Sequence, residues 1–266
     1  MRRSTVVAVL VCLAGTQTLA QDTRAARFMD SCRRNRGDDE EFCETRNVTL
    51  APTQALNVDG RDNGGITVHG WDKNQIEIVA MIQARAETQA EAEDIAKEII
   101  VTARNGQVRA DGPDRQRRHE SWSVSYEVYA PRHTELSLVA QNGGISVEGV
   151  NSRIDLETVN GGLNLADVDG DVRGTTVNGG VTAELHGDRW NGAGLDLRTS
   201  NGGVHLVIPS NYSARLETGT VNGGMNIDFP ITIQGSLGRR FSTQLGAGGA
   251  TIRAVTTNGG ISIRRR

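Results

Sequence analysis

From Gln75 onward, apolar and polar positions alternate through Ile76, Ile78, Ala80, Ile82 and Ala84, the period-two pattern of a half-buried strand. The period then changes. Thr88 and Glu91 fit a capping box, and Ala92, Ile95, Ala96 and Ile99 fall on one helical face. Strand character resumes at Ile100-Val101-Thr102, and Asn105-Gly106 predicts a tight hairpin turn into Gln107-Val108-Arg109. Asp111-Gly112-Pro113 ends that hairpin, and Arg115-Gln116-Arg117-Arg118-His119 follows as a solvated basic loop. Trp122, Val124, Tyr126 and Val128 alternate with Ser121, Ser123, Ser125 and Glu127, a further strand up to Pro131, and Leu136 and Leu138 resume the apolar face. Residues 55–140 therefore read as an α+β segment carrying one helix.

Beyond residue 140 the pattern becomes a repeat. Asn-Gly-Gly occurs at Asn63, Asn142, Asn160, Asn178, Asn201, Asn222 and Asn258, with spacings from Asn142 of 18, 18, 23, 21 and 36, the last being two times 18. A period near 20 residues marks a solenoid. Alternating apolar pairs follow the triplets (Ile145 and Val147, Leu163 and Leu165, Val204 and Leu206) and precede them (Ile154 and Leu156, Leu195 and Leu197). Two residues ahead of the asparagine sits Thr158, Thr176, Thr199, Thr220 or Thr256. Each coil reads as a strand ending in threonine, a corner and a second strand. Asparagine and glycine tolerate positive φ, which would let the chain turn sharply there. Stacked coils would bring successive asparagines to about 4.8 Å, close enough for an amide ladder. The expected structural corner is Asn142, Asn160, Asn178, Asn201, Asn222 and Asn258. A meander of antiparallel hairpins is the alternative, since Asn-Gly is also a hairpin signal, but it needs neither a fixed corner nor a threonine at a fixed offset. The fold class expected is mainly β: a β-solenoid of Asn-Gly-Gly repeats over residues 141–266 with an N-terminal α+β segment.

Composition agrees with a thin core. Residues 141–266 hold 24 of the 32 glycines, and aromatics are only 4 % of the chain. No apolar run reaches the 18 residues a membrane-spanning helix needs. Met1-Arg2-Arg3, the apolar stretch from Thr5 to Gly15 and the small residues at Thr18-Leu19-Ala20 form an export signal over residues 1–20. Its removal leaves 27 basic against 32 acidic residues, net −5, which gives nucleic acid no basic patch to bind. Export also leaves Cys32 and Cys43 in a charged segment, residues 21–54, and in an oxidising compartment such a pair reads as a disulfide. Metal binding is the rival reading, but no nearby histidine completes a tetrahedral site. Arg36-Gly37-Asp38 between them is a tripeptide that some adhesive proteins use, but three residues are a weak match and a solvated charged turn is the expected reading.

Asn63-Gly64-Gly65-Ile66-Thr67-Val68 with Gly70-Trp71-Asp72, the strand, helix and hairpin, Tyr126 to Pro131 and the repeated coils together resemble the bacterial putative-adhesin family, a β-solenoid domain of unknown function. The resemblance covers residues 55–265. It implies an exported or envelope-associated protein and carries no catalytic residues to transfer.

Motifs of catalysis do not assemble. His69, His119, His133, His186 and His205 lack ligand spacing, and neither a phosphate loop nor a Gly-x-Ser-x-Gly elbow occurs. Asp167-Val168-Asp169-Gly170-Asp171 starts like a calcium loop, but Val172 and Asn178 stand where an EF-hand needs glycine and a bidentate acid. A polar turn or a looser surface calcium site remain as readings. Some β-helices are polysaccharide lyases or hydrolases, which would need paired acids on one face. The acids Glu148, Asp155, Glu157, Glu184, Asp196, Glu217 and Asp228 are largely matched by arginines, 11 basic against 11 acidic over residues 141–266. The expectation is an exported, non-catalytic adhesin-like scaffold, in the periplasm, on the cell surface or secreted. It takes no cofactor, catalytic or metal site, and its partner is an envelope or surface component. Self-association would run through the edge of the last coil, Asn258 to Ile263. The alternative is a carbohydrate-active β-helix enzyme.

Overall fold

The computed structural model describes residues 19–34, 39–114, 119–228 and 239–266. Most of the signal segment, the Arg36-Gly37-Asp38 tripeptide and the basic run at 115–118 lie outside these residues. Helix α1 (Leu19–Arg34) precedes strands β1 (Glu40–Leu50), β2 (Ala55–Asp59), β3 (Ile66–Trp71) and β4 (Ile76–Ala86). Helix α2 (Gln89–Glu98) leads into the hairpin β5 (Ile100–Arg104) and β6 (Gln107–Asp111), then β7 (Ser121–Pro131) and β8 (Glu135–Ala140). The repeat region begins with β9 (Ile145–Glu148), β10 (Asn151–Thr158), β11 (Leu163–Ala166), β12 (Asp169–Asn178) and β13 (Val181–Glu184). It continues with β14 (Gly194–Asn201), β15 (Val204–Ile208), β16 (Ala214–Asn222) and β17 (Met225–Ile227). Strands β18 (Arg240–Leu245), β19 (Thr251–Asn258) and β20 (Ile261–Arg265) complete it.

These strands form two ten-stranded sheets. Sheet I runs β1-β4-β7-β3-β9-β11-β13-β15-β20-β17, and sheet II runs β18-β16-β19-β14-β12-β10-β8-β2-β6-β5. The stacked strands are parallel and aligned, Asn178 against Asn201 and Leu163 against Val181 for example, so the chain coils and does not meander. Each triplet carries it from sheet II to sheet I. Ile145, Leu163, Val181 and Val204 from one sheet meet Ile154, Leu156 and Leu197 from the other in a single aliphatic core. Both sheets pass residue 140 without a break: β2, β3 and β8 belong to the same stack as the repeats.

The corners turn for a different reason from the one expected. Among the described residues positive φ occurs at Gly106, Gly149, Gly170 and several others, but at no triplet residue. Close stacking is what demands glycine. A Cβ on Gly143, Gly161, Gly179, Gly202 or Gly259 would lie 1.9–2.2 Å from the neighbouring coil's carbonyl oxygen. The threonine two residues before the asparagine, present from Asn160 onward, has its own role. Its buried hydroxyl donates to the adjacent coil's first-glycine carbonyl, at 2.8 Å for Thr158 to Gly143 and 2.7 Å for Thr176 to Gly161 and Thr199 to Gly179. The asparagine amides form one ladder, each Nδ2 donating to the next Oδ1 at 2.7–2.9 Å from Asn160 to Asn142, Asn178 to Asn160 and Asn201 to Asn178.

The stacking order departs from chain order. Strands β19 and β20 lie between β14/β15 and β16/β17, so Asn258 follows Asn201 in the ladder and Asn222 comes last. The coil expected to offer a free edge is therefore interior, and β17 and β18 end the stack.

Two helices are present where one was expected. In α2, Thr88 and Glu91 make the reciprocal capping box, and Ala92, Ile95 and Ala96 are buried. The charged segment supplies the second helix, α1, packed on β1 and β4, with Cys32 bonded to Cys43 of β1. That segment also forms β1, antiparallel to β4 from Glu40 to Leu50. Arg46 of β1 donates to the Ala96 and Ile99 carbonyls, satisfying acceptors that the end of α2 leaves open. No described helix is long and apolar enough to cross a membrane.

Candidate functional site

The second glycine of each triplet behaves unlike the first. A Cβ on Gly144, Gly180, Gly203 or Gly260 would meet nothing closer than 3.4 Å, and on Gly224 nothing within 4 Å. Neither packing nor φ requires glycine at these positions. They face outward because the next residue (Ile145, Val181, Val204, Ile261) is buried and strand residues alternate faces. Beside this row, Thr67, Ser146, Asn164, Thr182, His205 and Ser262 stand in register on adjacent strands. The result is a flat trough across sheet I, floored by glycine and edged by small polar side chains. With strands about 4.8 Å apart it extends for roughly 30 Å. Two shallow depressions lie along it, about 440 Å³ over Gly180, Gly203 and Gly260, and about 240 Å³ between His69, Glu148 and Asn164.

At the β7 end the trough meets a cluster that the sequence did not announce. His69 Nε2 lies 3.4 Å from Glu127 and Nδ1 lies 3.4 Å from Glu148. Tyr129 donates to Glu127 at 3.1 Å and stacks on His69 with ring centroids 5.0 Å apart. Trp71 packs against Tyr129, and the Lys73 ammonium sits 4.4 Å over the Trp71 ring. Glu148 is 64 % exposed and His69 29 %, but Glu127 is only 3 % exposed. The two carboxylates thus lie on opposite sides of an imidazole, one of them sealed from solvent. Glycoside hydrolysis instead needs both carboxylates lining one open gap.

The other sequence candidates are distributed. Asp155, Asp196, Glu217 and Glu184 pair with Arg153, Arg198, Arg215 and Arg266, as the composition suggested, whereas Glu148 pairs with His69. In the 167–171 turn, Asp169 accepts from Asn191 at 3.0 and 3.1 Å and Asp171 pairs with Arg173. Among the described residues the grouping with metal-ligand geometry is Cys32, Glu41 and Cys43, and its two sulfurs are already bonded to each other. A further depression of about 780 Å³ is on sheet II among threonines, valines and the paired Arg198 and Arg215.

Register could have revealed part of the cluster. His69 and Glu148 each lie six residues after their triplet asparagine, Asn63 and Asn142, which makes them cross-strand neighbours. Glu127 belongs to β7, which has no triplet to fix its place.

The model of the family described as Toastrack DUF4097 matches residues 93–264. None of the curated proteins matches the chain. Among solved structures, a protein described as a putative cell adhesion protein from Clostridium sporogenes is similar at TM-score 0.51 and 13 % identity, covering 85 % of this chain and 100 % of that one. A Bacteroides fragilis protein described as a putative adhesin reaches TM-score 0.39 at 10 % identity, covering 84 % and 97 %. The first of these likenesses supports the fold.

Proposed function

This chain belongs to the Toastrack DUF4097 family, and from that premise we propose that it is an exported, non-catalytic binding or scaffold protein of the bacterial envelope, adhesin-like in use. The row of second glycines carries this reading. Six of the seven coils keep glycine where a side chain would fit, which leaves the backbone of sheet I open to a partner lying across the strands. A flat face with a repeat of about 4.8 Å suits an extended or repetitive partner better than a small molecule. The similarity to the C. sporogenes structure, described as a putative cell adhesion protein, supports it. The export signal at residues 1–20 and the Cys32–Cys43 bond support a compartment outside the cytoplasm.

The test combines location and surface. Fractionation of cells carrying tagged protein, then pull-down from the compartment where it resides, should recover an envelope or surface component. Gly180→Thr with Gly203→Thr should leave the unfolding transition in place and abolish that recovery. Recovery unchanged by the double variant would remove sheet I from the reading. Cleavage of a polysaccharide panel, lost on changing Glu148, Asp155 or Glu157 to the amide, would replace the scaffold with an enzyme.

A further inference from the structure

The outer face of sheet II, away from the trough, carries charges in a fixed phase. They point outward because they alternate with buried residues such as Ile154, Leu156, Val172 and Leu197. Within a strand they pair two residues apart: Arg153 with Asp155, Asp171 with Arg173, Asp196 with Arg198 and Arg215 with Glu217. Pairing of that kind is indifferent to which partner comes first along the strand. Across the strands the order does matter, and it alternates. Asp155 of β10 lies in register with Arg173 of β12, and Arg173 with Asp196 of β14. Asp196 lies in register with Arg253 of β19, and Arg253 with Glu217 of β16. The row reads acid, base, acid, base, acid. Charges on this face also act between strands: Asp155 does most to raise the pKa of the Arg153 guanidinium, and Asp171 and Glu135 on the flanking strands add to it.

Chain order would break the alternation. With β16 directly beside β14, Glu217 would stand against Asp196, and the row would read acid, base, acid, acid, base. That arrangement is within reach of the fold. Ser213, at the entry to β16, bridges to Arg189 just ahead of β14, and its N–H donates to the Asp188 carbonyl at 2.7 Å. From this tie β16 could close onto β14, yet β19 lies between them. Arg253 is the member of the row with no acid two residues away on its own strand, where Thr251 and Val255 stand. Its opposite charges are therefore the two across the sheet. Register neighbours lie about 4.8 Å apart, and on one face of a sheet like charges directly opposite destabilise while opposite charges stabilise.

We infer that this row is a device that sets the order of the coils. Repulsion between Asp196 and Glu217 keeps β16 off β14, and Arg253 draws β19 into the gap between them. The triplets supply the adhesion common to all these coils, and the charge row supplies the choice among them. The inference goes beyond the sheet I reading and does not depend on it, since no trough residue takes part.

Thiol pairs placed in the full chain report which strand stands beside β14. Ser200, Thr257 and Val221 are exposed and precede Asn201, Asn258 and Asn222, which stack in that order. Ser200→Cys with Thr257→Cys reads the observed order, and Ser200→Cys with Val221→Cys reads β16 on β14. In the observed order the second pair is two strands apart, about 9.6 Å, beyond the reach of a short thiol cross-link. A short thiol-to-thiol reagent is added during refolding with the Cys32–Cys43 bond intact, and peptide mass spectrometry measures each product. Both pairs are compared with native charges, with Glu217→Gln, and with Arg215→Glu, Glu217→Arg and Arg253→Glu together. The triple variant keeps an opposite pair within β16 but makes chain order the alternating one. With native charges the 200–257 product should exceed the 200–221 product by about tenfold or more. Glu217→Gln ends the repulsion and should narrow that ratio severalfold, and the triple variant should bring it to parity or invert it. The proposal is overturned if Glu217→Gln leaves the ratio unchanged, or if the triple variant folds and keeps the native ratio. Should the triple variant not fold, Glu217→Gln alone decides.

Discussion

Gly179→Ala and Gly180→Ala change adjacent residues by the same methyl group, yet their consequences should differ greatly. At Gly179 the new Cβ would stand 1.9 Å from the Gly161 oxygen, whereas real Cβ contacts stay beyond 3.0 Å, so the coils must part by about 1.1 Å. That shift carries the 2.7 Å Thr176-to-Gly161 bond past hydrogen-bonding range. It also strains the amide bond from Asn178 to Asn160 at 2.8 Å and the backbone bond from Asn178 to Val159 at 2.7 Å. Three bonds at about 1 kcal/mol each, plus an unpaired buried hydroxyl, give a loss of roughly 3–4 kcal/mol. At Gly180 the nearest atom would be the Gly203 oxygen at 3.5 Å, an ordinary contact, and φ is not positive. Alanine there should be neutral or gain about 0.4–1 kcal/mol from a less flexible unfolded chain. Urea unfolding followed by circular dichroism, with matched m-values, measures the difference. A gap below about 1 kcal/mol, or Gly180→Ala as the weaker protein, would refute the division between forced and free glycines, because it would contradict the bond losses counted above.

Three further outcomes follow from the fold. Mass spectrometry of unreduced peptides from the exported protein should show Cys32 joined to Cys43, and Cys32→Ser should lower stability by roughly 3 kcal/mol; two free thiols or a cross-linked dimer would count against it. Thr88→Ala removes one side of the α2 capping box and should cost about 1 kcal/mol, read as a lower denaturant midpoint; an unchanged midpoint would deny the cap a role. Truncation after residue 250 removes the strands between β14/β15 and β16/β17, so hydrogen exchange in Ala214–Asn222 should become fast while Leu163–Ala166 stays protected. Retained protection in both would mean that β16 closes directly on β14.

Local signals were legible because they depend on neighbours in sequence. Thr88 and Glu91 placed α2, and Asn105-Gly106 placed a two-residue hairpin with φ of 51° and 71°. The repeat gave the register of sheet I's outer face, since Thr67, Ser146, Asn164 and Thr182 all lie four residues after a triplet asparagine. What was missed depends on contacts between distant segments. Strand β1 reads as a charged stretch because it sits at the edge of sheet I, and its Arg46 serves the end of a helix 50 residues away. Helix α1 is tied to β1 through a disulfide rather than by a long apolar stripe. Tyr126 read as an ordinary core position; only the fold shows that its ring is buried while its hydroxyl is left without a partner.

The order of the coils was hidden by the repeat itself. Every corner from Asn160 onward offers the same amide, the same threonine hydroxyl and the same glycine carbonyl, so these coils can stack on one another in more than one order. The ladder accepts Asn258 on Asn201 at 2.8 Å just as it accepts Asn201 on Asn178 at 2.9 Å. The spacing of 36 from Asn222 to Asn258 looked like two regular periods, but the intervening chain crosses back through β18, which pairs antiparallel with β16. What selects the observed order must therefore lie outside the triplets. Two features differ from coil to coil: Ser213 at the entry to β16 is tied to the Asp188 carbonyl at 2.7 Å, and β18 covers the outer edge of β16. Together they set β16 at the end of sheet II and leave the slot beside β14 to the last strands of the chain. An exposed parallel edge invites pairing with another chain. Filling the slot puts parallel partners on both sides of β19 and β20 and, among the described residues, leaves β17 as the short terminal strand of sheet I. Association through strand edges at this end would therefore use Met225–Ile227, not the coil that follows Asn258.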